Sequence, residues 1–62
     1  MTLIVKSVSI PAYSSLGYGE GETEDGRAVR FAGDHRSMQH LGEAINSGEE
    51  VEVEIEPWQV VG

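Results

Sequence analysis

From Glu50 to Glu56 the chain reads Glu-Val-Glu-Val-Glu-Ile-Glu, an alternation without a break. A period of two belongs to a strand, because successive side chains point to opposite faces of a sheet. Val51, Val53 and Ile55 must then lie on one face, with Glu50, Glu52, Glu54 and Glu56 on the other. Such a strand needs a sheet with one covered face and one wet face. Pro57 breaks or bends the ladder, and Trp58-Gln59-Val60-Val61 is expected to form a terminal strand or a continuation of it.

The chain that must cover that apolar face has 62 residues, enough for one small domain spanning 1–62. A domain of this size buries only about 60% of the surface its unfolded chain exposes, so modest stability is expected. There is no cysteine, which excludes a disulfide staple, a thiolate metal site and a cysteine nucleophile. A reducing, cytoplasmic setting is compatible with that. The apolar runs are short, Leu3-Ile4-Val5 and Trp58 with Val60-Val61. They fall far below the roughly 20 residues of a membrane-spanning helix. The amino terminus has neither the basic stretch nor the apolar run of a signal peptide. No membrane association is expected.

Thr2 to Ile10 is rich in β-branched residues and reads as a first strand ended by Pro11. Its alternation is imperfect, since Leu3, Ile4 and Val5 are all apolar. Either both faces are covered there or a bulge changes the register. A hairpin is expected around Glu24-Asp25-Gly26. A two-residue turn would set Glu22 and Glu20 beside Val29 and Phe31. A three-residue loop with Gly26 left-handed instead sets Gly21 opposite Val29, Glu20 opposite Arg30 and Gly19 opposite Phe31. The second register keeps carboxylates out of the core and is preferred. Gly17, Gly19 and Gly21 then share one face, where a strand can coil and large side chains can lie across it. A nucleotide-binding glycine loop would have to run from a strand into a helix, and these glycines precede a hairpin.

Asp34 is placed to cap a helix of about 12 residues. Met38, Leu41 and Ile45 recur at helical spacing along it, and Gly48 supplies a left-handed stop. The expected order is β-β-β-α-β-β. That is an α+β fold, a small curved antiparallel sheet or half-barrel of OB-like or SH3-like kind with one helix. The expected core is Val29, Phe31, Leu41, Ile45, Val51, Val53 and Ile55, with Met38 at its margin.

No catalytic constellation is apparent. His35 and His40 are five apart, where metal-binding histidines on a helix want three or four. Asp34, His35 and Ser37 have the residue types of a triad but lie side by side, as a helix cap with solvated neighbours does. Every glutamate reads as exposed and therefore unshifted, which leaves no acid–base pair. We expect no enzyme, no cofactor and no metal.

Charge bears on partners. Eleven Asp and Glu against four Lys and Arg give a formal net charge of -7. All four bases lie in the first 36 positions, and six glutamates crowd Glu43 to Glu56 without one. Tyr13, Tyr18 and Trp58 have the chemistry to stack bases, and Arg27, Arg30 and Arg36 to meet phosphates. The net charge opposes that use, since phosphate neutralisation drives such binding. The converse reading is an acidic mimic that blocks a basic site. Glutamates at every second strand residue stand about 6.8 Å apart, against one charge per ~1.7 Å of duplex DNA. A glutamate face that solubilises the chain and guards a sheet edge is the simpler account.

The run Arg27-Ala-Val-Arg-Phe-Ala-Gly-Asp-His-Arg, followed by Glu49 to Val61 with its Glu-Pro-Trp-Gln-Val-Val ending, resembles short acidic proteins of unknown function from actinobacteria and their phages. The resemblance covers about 35 residues and carries no functional motif or site residue. It implies a small intracellular protein, phage-encoded, that binds and modulates a host protein. The expected activity is thus that of a non-enzymatic protein-binding module, with an OB-like single-stranded nucleic-acid binder and the acidic mimic as alternatives. The candidate interaction surface is Trp58, Val60, Glu50, Glu52, Glu54, Arg27 and Arg30. Trp58 to Val61 is also the segment through which a homodimer would form. The competing expectation is that Trp58 closes the end of the barrel.

Overall fold

In the computed structural model, which describes residues 1–61, five strands form one antiparallel sheet in the order β4-β1-β2-β3-β5. The elements are β1 (Thr2–Ser9), β2 (Leu16–Glu22), β3 (Ala28–Asp34), α1 (His35–Asn46), β4 (Val51–Glu54), a 3-10 turn (Pro57–Gln59) and β5 (Val60–Val61). The order along the chain is the expected one. The terminal strand is shorter than expected, because Pro57 to Gln59 coil into the turn and leave only two residues to pair.

The imperfect alternation of β1 is a bulge. Val5 pairs with Gly21 and Ser7 with Glu20, so Lys6 is the extra residue. Before it Leu3 and Val5 face the core, and after it Val8 does, opposite Gly19. One inserted residue keeps both halves of an eight-residue strand apolar on the same side.

The β2–β3 hairpin takes the three-residue register, with Gly19 opposite Phe31, Glu20 opposite Arg30 and Gly21 opposite Val29. Gly26 has φ +85°, and its N–H donates to Thr23 O at 3.0 Å. This closes a turn followed by the left-handed residue that a three-residue loop needs.

The core centres on Leu3, Val5, Phe31, Met38 and Ile55. Met38, expected at the margin, is 2% exposed. The reason is the missing Cβ atoms of β2 and β3. A Cβ on Gly17 would stand 2.6 Å from Met38 Cβ, and one on Gly33 3.0 Å from its sulfur. The glycines open a slot, and the flexible thioether fills it. Leu41, Ile45, Val29, Val51 and Val53, expected inside, are only partly buried around this centre. Leu3 and Val5 take the places they were expected to hold.

Asp34 caps α1 by accepting from Ser37 N–H at 3.0 Å, and Gly48 at φ +85° ends it. The helix then returns the chain to the far edge of the sheet, where β4 joins β1. Five residues, 55–59, carry the chain from β4 back to β5 at the opposite edge. A flat five-stranded sheet would separate those edges by about 19 Å. That is close to the limit of the connecting stretch even when extended, and the 3-10 turn shortens it. The sheet must therefore curl. It does not close, since β4 and β5 do not pair, so the architecture is a curved open sheet and not a barrel. Among the described residues no helix is long and apolar enough to cross a membrane.

Candidate binding groove

Curling without closure leaves a groove of about 750 Å³ between α1, the end of β4 and the 3-10 turn. Phe31, Met38 and Ile55 form its floor, so it opens directly onto the core. Leu41 and Val53 line it from the helix and from β4. Leu16, Asp34, His40, Glu54 and Trp58 also border it.

The 3-10 turn fixes the position of Trp58. Pro57 at its first position needs no N–H partner there. Glu56 N–H donates to Gln59 Oε1 at 2.8 Å, and Gln59 N–H donates to Glu56 O at 2.9 Å. Gln59 Nε2 then donates to Ala32 O at 3.1 Å, tying the turn to β3. With Gln59 turned inward, Trp58 turns outward and is 79% exposed. It does not plug the end of the sheet, which corrects the expectation of a closing side chain. Gln59 is a positioning residue that sequence reasoning missed. The signal for it was the spacing of Glu56, Pro57 and Gln59, which resembles a helix N-terminus with a residue reaching back to the cap.

Two carboxylates nearby are held ionised, Asp34 at the groove and Glu54 on the outer face of β4 beside the amino terminus. The Ser37 backbone N–H keeps Asp34 below the usual carboxylate range. Glu54 is lowered chiefly by the amino-terminal ammonium of Met1, 2.8 Å from Oε1, and then by the Thr2 hydroxyl at Oε2. The expectation that every glutamate is unshifted therefore fails at Glu54, because β1–β4 pairing brings the chain terminus beside it. At neutral pH Asp34 offers a fixed negative charge at the groove, while the charge on Glu54 is met by the Met1 ammonium. The arrangement suits an apolar side chain with a cation beside it better than proton transfer.

Of the candidate surface, Trp58 stands at the groove. Glu52 and Glu54 form an acidic row on the outer face of β4, away from it, and Glu50 lies just before the strand. Val60 pairs with Phe31 at the other edge and is 40% exposed. Arg27 and Arg30 lie elsewhere. Arg27 pairs with Asp25 in the hairpin loop (Nε to Oδ2, 3.4 Å), and Asp25 also accepts from the Thr23 hydroxyl. Arg30 shares the outer face with Tyr18 and Glu20. Glu20 and Arg30 are cross-strand neighbours without an ion pair between them among the described residues. The base-stacking candidates are divided too, with Tyr18 on the outer face and Trp58 at the groove.

Comparisons with protein-family models, with curated proteins and with solved structures return no match.

Proposed function

We propose that this chain is a non-enzymatic, cytoplasmic protein-binding module whose partner docks in the groove beside Trp58. The observation that carries the reading is the position of that tryptophan. A 62-residue chain has little apolar surface to spare, yet its one tryptophan stands in water on the rim of a groove that reaches the core. Tryptophan is among the residues most enriched where interfaces concentrate their binding energy. An apolar pocket with a few charged groups at its mouth is the usual form of a binding site.

The charge selects the partner. Asp34 at the mouth, within a chain of net charge -7, favours an apolar side chain flanked by Lys or Arg. A second copy fits less well, since pairing groove to groove would bring like charges together. In the setting that the sequence resemblance implies, the partner is a host protein and docking modulates it. Nucleic acid is the weaker candidate, because Tyr18 and Arg30 do not share a surface with Trp58.

The test is selection of a displayed peptide library on the immobilised protein. Enriched sequences should combine an apolar anchor with Lys or Arg, and enrichment should vanish on Trp58→Ala. Absence of any enrichment, alongside binding of a single-stranded oligonucleotide at low salt, would overturn the reading.

A further inference from the structure

We infer that the partner enters as an extended segment that adds a strand to the free edge of β4, with apolar side chains alternating with Lys or Arg. The inference rests on the groove being the docking surface and goes on to name the partner's conformation and pattern.

Ile55 N–H donates to Met1 O at 2.8 Å, and the Met1 amine donates to Ile55 O at 3.1 Å. Met1 and Ile55 therefore form a hydrogen-bonded pair of the antiparallel β1–β4 ladder. Such pairs alternate with non-bonded ones. Leu3–Val53 and Val5–Val51 are then bonded pairs, while Thr2–Glu54 and Ile4–Glu52 are not. The backbone N–H and C=O of Glu52 and Glu54 consequently point away from β1, to the side where the sheet has no further strand.

A strand laid there would meet two different rows. Its inward side chains would extend the surface of Val51 and Val53, which are only partly buried, and reach the groove at Val53. Its outward side chains would stand beside Glu52 and Glu54. Opposite charges across a ladder stabilise it, and like charges destabilise it. Glu52 has no ion-pair partner among the described residues. The same glutamates oppose edge-to-edge pairing of two β4 strands, as charged edges commonly do. One row of side chains thus rejects a second copy and selects a basic, apolar strand.

The probe is a blocked octapeptide of alternating Lys and Val, with alternating Glu and Val as its counterpart. Binding is read from the emission of Trp58, the sole tryptophan, and from amide exchange at Glu52 and Glu54. The Lys–Val peptide should bind, shift the emission to the blue and slow exchange of both amides, while the Glu–Val peptide should not bind. Glu52→Pro removes an edge N–H at a position where proline is tolerated. It should weaken binding at least tenfold. Glu52→Gln keeps the N–H and should weaken binding a few-fold, with a shallower salt dependence. Binding without amide protection, unchanged by Glu52→Pro, would overturn strand addition and leave groove docking standing. Should Glu52→Pro fail to fold, amide protection in the parent chain decides alone. If neither this peptide nor any other apolar–basic sequence binds, both readings fall.

Discussion

Gly19 lies opposite Phe31 in the β2–β3 ladder, and the phenyl ring fills the space that a Gly19 side chain would take. A Cβ there would stand 2.5 Å from Phe31 Cζ and 2.9 Å from Met38 Cε. The glycine row, the ring and the thioether form one packing unit. Gly19→Ala should destabilise the fold by about 1–3 kcal/mol, the usual range for an overpacked core. Phe31→Leu in the same chain should recover part of that loss. An unchanged urea midpoint for Gly19→Ala would contradict the packing.

Phe31 and Met38 are each 2% exposed at the centre of the core. Phe31→Ala should cost roughly 3–5 kcal/mol and Met38→Ala roughly 2–5. A domain of this length holds about 3–9 kcal/mol in total, so either change approaches or exceeds its stability. Circular dichroism melts should show a lost or strongly shifted transition. A cooperative Phe31→Ala protein near the parent Tm would mean that another residue fills the core.

Nothing lies within 4 Å of a Cβ built on Gly26, so the space is open and the constraint is its φ of +85°. Gly26→Ala should therefore destabilise by about 1 kcal/mol through the backbone alone. Gly26→Asn should cost less, because asparagine enters the left-handed region more readily. Equal melting temperatures for the parent and Gly26→Ala would contradict the three-residue loop.

Asp34 and Glu54 both titrate below their ordinary values of 3.8 and 4.5 in the folded chain. A depressed carboxylate adds stability that is fully present above its unfolded value and is lost as pH falls through the folded one. The melting temperature should hold from neutral pH down to about these ordinary values and then decline. Asp34→Ala should lower Tm at neutral pH, and the gap from the parent should narrow as the solution is acidified below 3.8. A gap that stays constant with pH would show that the charge on the cap contributes nothing.

Local chemistry made much of this legible in the sequence. The Val51–Ile55 alternation, the Asp34 cap, the Gly48 stop and the hairpin register each depend on residues close in the chain or on one turn type. The curved α+β sheet followed from them. What escaped the sequence depends on where distant segments meet. Met38 becomes central only because Gly17, Gly19 and Gly33 from two strands leave room for it. Leu3 and Val5 were obscured by the bulge at Lys6, which shifts the alternation between two halves of one strand. Glu54 is perturbed by a group 53 residues away in the chain. At the groove, Trp58 was visible as a candidate from its type alone. Its exposure depends on Gln59 reaching Ala32 on another strand, and no local pattern encodes that contact.

If Trp58 is a docking residue, removing it must separate binding from folding. Parent and Trp58→Ala chains should be titrated by calorimetry with a peptide enriched on the parent, and melted in parallel. A side chain 79% exposed supports little of the fold, so the two melts should coincide. Affinity should fall about 30-fold or more, the equivalent of roughly 2 kcal/mol at an interface anchor. A Trp58→Ala chain that melts well below the parent, or that binds the peptide equally well, would contradict the account.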